Sequence, residues 1–504
     1  MPPVRDLCGV LVGCLLIGAC NDTSDLAPAS PNTPWQFEAP KEAPTTPAPT
    51  AAGAARFTVP DNTEVHLPSP GDIDSNHVYS LVELIDIAQR RNPATRVAWE
   101  QARQAAISVG IARAAYLPAL TVTALAGAER AVFPLPTNLV PQGFITANFQ
   151  EVLPQLTISY LLLDFGGRSA TVEAASQRSI AENVAFTAAH QRLIFEVARA
   201  YFSLDGADAE VRAAKQALAD TQVVQQSAEA LFRRGLATTV DVQLARSATA
   251  QAQLDLTQAN AGQHAAMYTL LAAMDLPPTT KLLVENASER PLPPHMTRTV
   301  DDVINDALRR RPDLLAQVAK LRATDAEILA ARSNLSPKVS LSGNVQGNIS
   351  RYNVDNGPYL PVGKPQGAAL LKFEWPLYEG GLLENRLKLA QSEREAASDQ
   401  LNGSIDQASH EVALAYDQVD TGLQQYDAAV ALQSASEAAF RSASAAYAQG
   451  YGKLTDASSA QARLAEARAA VARAHAQSLI NAAALAFATG ELTSSTDFAP
   501  AHSR

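Results

Sequence analysis

The sequence predicts a mainly α-helical, internally duplicated chain, in which long antiparallel helical hairpins adjoin four β-strands of a membrane barrel, too few to close alone. Three observations carry this. A unit of about 200 residues recurs, two long spans contain no proline, and short runs before each span alternate apolar with polar side chains.

The N-terminus comes first. Arg5 precedes an apolar run from Leu7 to Ala19, shorter than the roughly 20 residues a bilayer span needs but long enough for a secretory signal. The run ends Ile17-Gly18-Ala19-Cys20, which resembles the bacterial lipoprotein cleavage box. Residues 1–19 are therefore expected to be a removed signal peptide and Cys20 the lipid-bearing first residue. Leu11-Val12-Gly13-Cys14 also matches, but cleavage there would leave a very short apolar core. Cys8, Cys14 and Cys20 are the only cysteines, so a chain cut before Cys20 keeps one thiol and no internal disulfide. Asn21 follows, and by resemblance to lipoprotein sorting rules it leaves the outer membrane open as a destination.

Residues 20–78 read as an extended tether. Prolines at 28, 31, 34, 40, 44, 47 and 49 remove backbone donors and stiffen the chain toward polyproline II.

The duplicated body follows. Ala88-Gln89-Arg90-Arg91-Asn92-Pro93 returns as Ala307-Leu308-Arg309-Arg310-Arg311-Pro312, and Arg103 and Pro118 return as Arg322 and Pro337 in the same register. Further on, Asp164-Phe165-Gly166-Gly167 answers Tyr378-Glu379-Gly380-Gly381, and Gly235 and Asp241 answer Gly450 and Asp456. Residues 79–276 and 300–490 are thus two copies of one unit, joined by a Pro-rich linker at 277–299 and followed by a tail at 491–504.

Each copy opens with one helix, about Leu81 to Tyr116 and Val300 to Leu335, closed by a proline. Strands follow. Val339, Leu341, Val345 and Ile349 alternate with Ser340, Ser342, Asn344, Gln346, Asn348 and Ser350, the pattern of one greasy and one wet face. Leu120 and Val122 against Thr121 and Thr123, then Leu156, Ile158 and Tyr160 against Gln155, Thr157 and Ser159, repeat it in the first copy. After the Gly-Gly pairs there is no proline until Pro277 or Pro500. A coiled-coil seam runs through Tyr416, Val419, Leu423, Tyr426, Val430, Gln433, Glu437, Phe440, Ser444 and Tyr447. Breaks near Gly235 and Gly450 fold each span into a hairpin whose first arm, about Arg168 to Arg233, would reach roughly 100 Å.

Composition narrows the function. Aromatic residues make up only 6% of the chain, which suits closely packed helices better than a thick globular core, and a net charge of −11 argues against a nucleic-acid partner. Four strands leave open edges that lipid does not tolerate, so oligomerisation must close them; three chains would give twelve strands around a water-filled lumen.

These features together resemble the TolC-like outer-membrane efflux proteins, in the lipoprotein branch. The repeated units, the Gly-Gly pairs, and the tips Phe232 to Asp241 and Tyr447 to Asp456 carry the resemblance, which covers about Ser80 to Gly490. It implies a homotrimer with a 12-stranded barrel and a periplasmic helical tunnel. It further implies coupling through a periplasmic adaptor to an inner-membrane, proton-driven transporter, for efflux of drugs, metals or other small molecules. No cofactor or metal is implied.

The same resemblance places the periplasmic aperture at Asp456. Ser459 stands at a second acidic position, and Gly452, with Lys453 beside it, at a basic one. Tyr447 matches an aromatic that ties the second hairpin to the first, with Asp241 as its partner. Gly235, Leu236 and Gly450 would form the adaptor-contacting tips. Read from the residues alone, both aspartates are equally well helix-start residues following threonines.

Two other functions fit part of the pattern: a trimeric coiled-coil lipoprotein that bridges envelope layers without conducting, and the outlet of a type I protein secretion system. Enzyme readings find little. The eight histidines are scattered, no HExxH, P-loop or GxSxG motif occurs, and Asp301-Asp302 read as a helix start.

Overall fold

The computed structural model describes residues 71, 73–287, 290–293 and 295–494. Cys20, the expected signal peptide and most of the tether lie outside these residues. The duplication is plain in the helices. Short helices α1 (Leu81–Arg91) and α2 (Pro93–Ala114) precede long α3 (Gly167–Arg233) and α4 (Thr239–Ala273). Their counterparts are α5 (Val300–Arg310), α6 (Pro312–Ser333), α7 (Leu382–Ala448) and α8 (Leu454–Ala488). The long arms have 67 residues in both copies and the return arms 35. At 1.5 Å per residue a long arm extends about 100 Å.

The opening helix expected in each copy is two helices. Pro93 and Pro312 occupy first helical positions, where the missing N–H costs nothing, and the preceding Asn92 and Arg311 are extended. Asn92 accepts a hydrogen bond from Ala94 N at 2.8 Å, capping the new start. Upstream, Ser80 and Glu83 form a capping box, and Thr299 caps α5 by accepting from Asp302 N.

The principal core lies where these short helices meet the hairpins. Leu84 and Ile85 of α1, Ile194 and Val197 of α3, Leu270 of α4 and Met274 are fully buried together. The linker crosses this region, and its strand β4 (Leu283–Val284) pairs in parallel with β1 (Val78–Tyr79). Tyr201 donates to Glu285 O at 2.9 Å, and Asp205 accepts from Ala287 N at 2.9 Å, fastening the linker to α3. Burial, reinforced by the Asp205 charge, pushes the Tyr201 phenol up to about 12.

Strands β2 (Ala119–Pro134) and β3 (Phe144–Leu163) come from the first copy, and β5 (Lys338–Gln346), β6 (Ile349–Val354), β7 (Leu360–Val362) and β8 (Gln366–Glu374) from the second. They make four spans. β5 and β6 form one span interrupted at Gly347-Asn348, where a single strand was expected, and β7 and β8 form another. All pairings in this sheet are antiparallel, and β2 and the β7–β8 span each have one free edge among the described residues.

Register aligns the apolar residues across the sheet. Val122 faces Leu156, which faces Val345; Tyr160 faces Leu341, which faces Leu371. Thr123, Gln155, Thr157, Asn344 and Gln346 occupy the opposite face. The apolar face is open in the single chain, with Val122 76% and Leu371 68% exposed. Along β3 it runs from Leu163 to Val152, about eleven residues, or roughly 27 Å of height at a barrel's usual tilt. That matches the hydrocarbon band. No helix among the described residues is long and apolar enough to cross a membrane.

The strand-to-helix elbow of the first copy is held by Arg168, which no sequence motif singles out. Its backbone N–H donates to Asp164 Oδ2 at 2.6 Å, while its guanidinium donates to Leu161 O at 2.7 Å and Leu162 O at 3.1 Å. In the second hairpin the buried seam follows Val412, Ala415, Val419, Gly422, Leu423, Ala429, Ser436 and Tyr447. It departs from the expected seam at Val430, which is 42% exposed. Tyr416 belongs to packing as expected, and its hydroxyl donates to Arg298 O at 2.8 Å.

Candidate gate at the hairpin tips

Each hairpin turns through a left-handed glycine, Gly235 at φ +76° and Gly450 at φ +84°. At the first tip Gly235 N donates to Phe232 O and Leu236 N to Leu231 O, both at 2.9 Å. At the second, Gly450 N donates to Tyr447 O at 2.9 Å and Tyr451 N to Ala446 O at 3.0 Å. This closing pattern needs a positive φ, which a side chain resists. Leu236 is 69% exposed on the first tip. Tyr451, which the sequence pattern does not mark, is 86% exposed on the other tip.

The two tips share a small core. Val224, Ala228 and Leu231 of α3, Ala245 of α4, Tyr447 of α7, and Leu454 and Ala457 of α8 are buried against one another. Tyr447 therefore does join the hairpins, but by packing. Its hydroxyl is buried without a hydrogen-bond partner among the described residues, and its pKa is raised by burial first and by the Asp241 charge second. No hydrogen bond joins Tyr447 to Asp241 among the described residues, although the Asp241 charge still acts on the phenol; the Asp241 carboxylate is bonded to Thr238. Asp241 Oδ2 accepts from Thr238 N at 2.7 Å and from Thr238 Oγ1 at 2.8 Å, while Thr238 Oγ1 accepts from Asp241 N at 3.2 Å.

Asp456 differs. It is exposed in the first turn of α8, and its carboxylate makes no hydrogen bond or ion pair among the described residues. Lys453 is the N-cap of α8, with no side-chain capping bond, and Ser459 donates to the Asp456 backbone oxygen at 3.1 Å. Both aspartates thus sit in a first helical turn, Asp241 within a capping box and Asp456 with a carboxylate that bonds to no described residue.

Polar ties between the hairpins lie below the tips, at residues without a sequence signature. Arg468 of α8 meets Asp220 of α3 at 2.6 Å with both side chains largely buried, Arg473 meets Glu210 at 3.2 Å, and Gln461 donates to Ala217 O at 3.3 Å. Within the first hairpin, Glu229 accepts from Gln225 at 3.2 Å and from Arg246 at 3.1 Å, bonds that hold its carboxyl below the usual range. The pairings between the two hairpins are distant in sequence and leave no local pattern. No cluster of potential metal ligands occurs among the described residues.

The Thr238 cap titrates. The backbone N–H of Thr238, then its hydroxyl, lowers the Asp241 pKa. Its stabilising effect is therefore present above the unfolded value near ~4 and is lost as pH falls through the folded value. Amides in the first turn of α4 should lose protection, measured as exchange relative to the intrinsic rate at each pH, below about pH 4. Thr238→Ala, which removes a cap worth about 1 kcal/mol, should raise that exchange roughly fivefold at neutral pH and weaken its acid dependence, part of which persists through the backbone N–H bond to Asp241. Unchanged exchange would show that the hydrogen-bonded box does not hold the tip.

A family model described as outer membrane efflux protein matches residues 84–275 and 303–491. Protein CyaE of Bordetella pertussis is 30% identical over 349 residues, covering 67% of this chain and 69% of that protein. The probable outer membrane lipoprotein SilC of Salmonella typhimurium is 25% identical over 271 residues, covering 52% and 56%. The solved structure of a membrane protein from Pseudomonas aeruginosa matches with a TM-score of 0.68 at 26% identity, covering 81% of this chain and 93% of that one.

Proposed function

This chain belongs to the outer membrane efflux protein family, and from that premise we propose that three copies form the exit duct of a tripartite pump for small molecules. The four-span sheet, apolar on one face, polar on the other and free at both edges, carries this reading. Three such sheets make twelve strands, enough for a water-filled lumen, with the apolar face toward lipid. The eight helices continue the wall as a tunnel in the periplasm. Loops at 135–143 and 355–359 then lie outside the cell. A spacer that bridges envelope layers has no use for a sheet of this polarity.

The pump partners follow from the same reading: a periplasmic adaptor seated on the tips at Gly235, Leu236 and Gly450, and an inner-membrane transporter beyond it. Cys20 carries lipid, supported by the cleavage box and by kinship to a probable outer membrane lipoprotein. Small-molecule efflux, rather than type I protein secretion, is the reading the lipoprotein box favours. The chain acts as a conduit and catalyses no reaction.

At the periplasmic end, three copies of Asp456 line the aperture. Its unpaired carboxylate supports this role, because a ring of free charges attracts cations and repels anions. Planar-bilayer recordings of purified trimers test both levels of the proposal. Wild type should conduct with cation preference, and Asp456→Asn should lower that preference and weaken blockade by multivalent cations while trimers persist. Trimers that never conduct would refute the duct; unaltered selectivity in the variant would move the aperture elsewhere.

A further inference from the structure

Where the apolar band ends, charge divides between the two faces of the sheet. On β2 and β3, Glu129 and Glu151 alternate to the polar face, the one that carries Thr123 and Gln155. Arg130 and Arg351 lie on the other face, in the rows directly beyond Val152 and Ile349. No strand carboxylate shares that face with them at this level. In a chain of net charge −11 this is a local reversal of sign, set at the edge of the greasy band.

Arg351 is held in position. Its Nε donates to Gln150 Oε1 at 2.6 Å, and its guanidinium carbon sits 5.2 Å from the ring centre of Tyr359. Its two terminal nitrogens make no bond among the described residues, nor does the exposed Arg130 two strands away. Below Arg351 is an open hollow of about 590 Å³, floored in part by Ala126, Ala128, Val152 and Ile349. An apolar floor beneath an unpaired guanidinium fits an acyl chain joined to a phosphate.

We propose that Arg130 and Arg351 bind the phosphate groups of an outer-leaflet lipid, whose acyl chains lie against the hollow and the apolar band below it. The orientation rests on the barrel reading above; the charge division does not. Each arginine at an anionic surface strengthens binding roughly fivefold, so the pair should give a preference of about 25-fold over a lipid with no net charge.

The test uses full-length trimers purified from the outer membrane and exchanged into mixed micelles of diphosphoryl lipid A or of phosphatidylcholine. Retained lipid is counted by native mass spectrometry. Wild type should retain lipid A selectively, and Arg130→Gln/Arg351→Gln should fall to the phosphatidylcholine level. Glu129→Gln/Glu151→Gln, on the opposite face, should keep the selectivity. Equal retention of both lipids by wild type, selectivity surviving the arginine changes, or equal loss in the glutamate control would each overturn the proposal. Displacement of lipid A by inorganic phosphate at matched concentration would also overturn it, by making the site one for a free anion. Conductance of the same preparations is read separately, so failure of the duct would be seen apart from failure of the lipid site.

Discussion

Val122→Arg should all but eliminate trimers from the outer membrane, whereas Thr123→Arg, one residue along the same strand, should leave them assembled with altered conductance. Val122 pairs with Leu156, near the middle of the apolar band, and is 76% exposed in the single chain. Thr123 pairs with Gln155 on the polar face. An arginine facing lipid at mid-height costs about 2–4 kcal/mol, and a trimer carries three of them. The same arginine facing a water-filled lumen keeps its hydration and adds charge to the pore. The readout is the yield of heat-modifiable trimers in outer-membrane fractions, followed by single-channel conductance. Equal loss in both variants would mean that neither face meets water, and selective loss in Thr123→Arg would turn the barrel inside out.

This contrast is visible in the sequence because strand alternation is a local signal with a period of two. Position along the strand is less so. The break at Gly347-Asn348 emerges only when β3 is seen to pair first with β6 and then with β5. The helices show the same division. Proline-free spans and paired glycines mark both hairpins, yet Pro93 and Pro312 do not stand out as breaks, because a proline at a first helical position resembles one tolerated inside an amphipathic pattern. The seam slips for a related reason. Val430 is the larger apolar side chain, but close helix packing buries the smaller Ala429.

The candidate gate is the least legible part. Asp241 and Asp456 hold equivalent positions in the repeat and look alike in sequence, but a threonine three residues before Asp241 encloses it in a capping box, whereas Lys453 stands before Asp456. The Asp220–Arg468 tie spans 248 residues, a separation no short motif encodes. Family resemblance supplies the Tyr447–Asp241 pairing. Local capping, formed at far smaller loop-closure cost, takes the carboxylate instead.

At the tips, Gly235→Val should abolish efflux while trimers remain in the outer membrane. The space around Gly235 is open, with no atom other than those of its chain neighbours within 4 Å of where a β-carbon would stand, so the substitution acts through the backbone. A β-branched residue at φ +76° is strained by more than about 1 kcal/mol, and relief requires the Gly235 N–H to Phe232 and Leu236 N–H to Leu231 bonds to open. Leu236 would then leave the exposed position that the proposed docking of an adaptor requires. The barrel and the principal core lie far along the 67-residue arm and do not feel the change. Asparagine tolerates the left-handed region, so Gly235→Asn should retain most activity and separates backbone strain from loss of a bare surface. At Gly450 a β-carbon would stand in ordinary contact with Leu231, at 4.0 Å, so a substitution there also acts through its left-handed backbone. The measurement is resistance of cells lacking their own copy to the exported compound, beside trimer yield. Wild-type resistance in Gly235→Val would show that the pump does not dock on this tip.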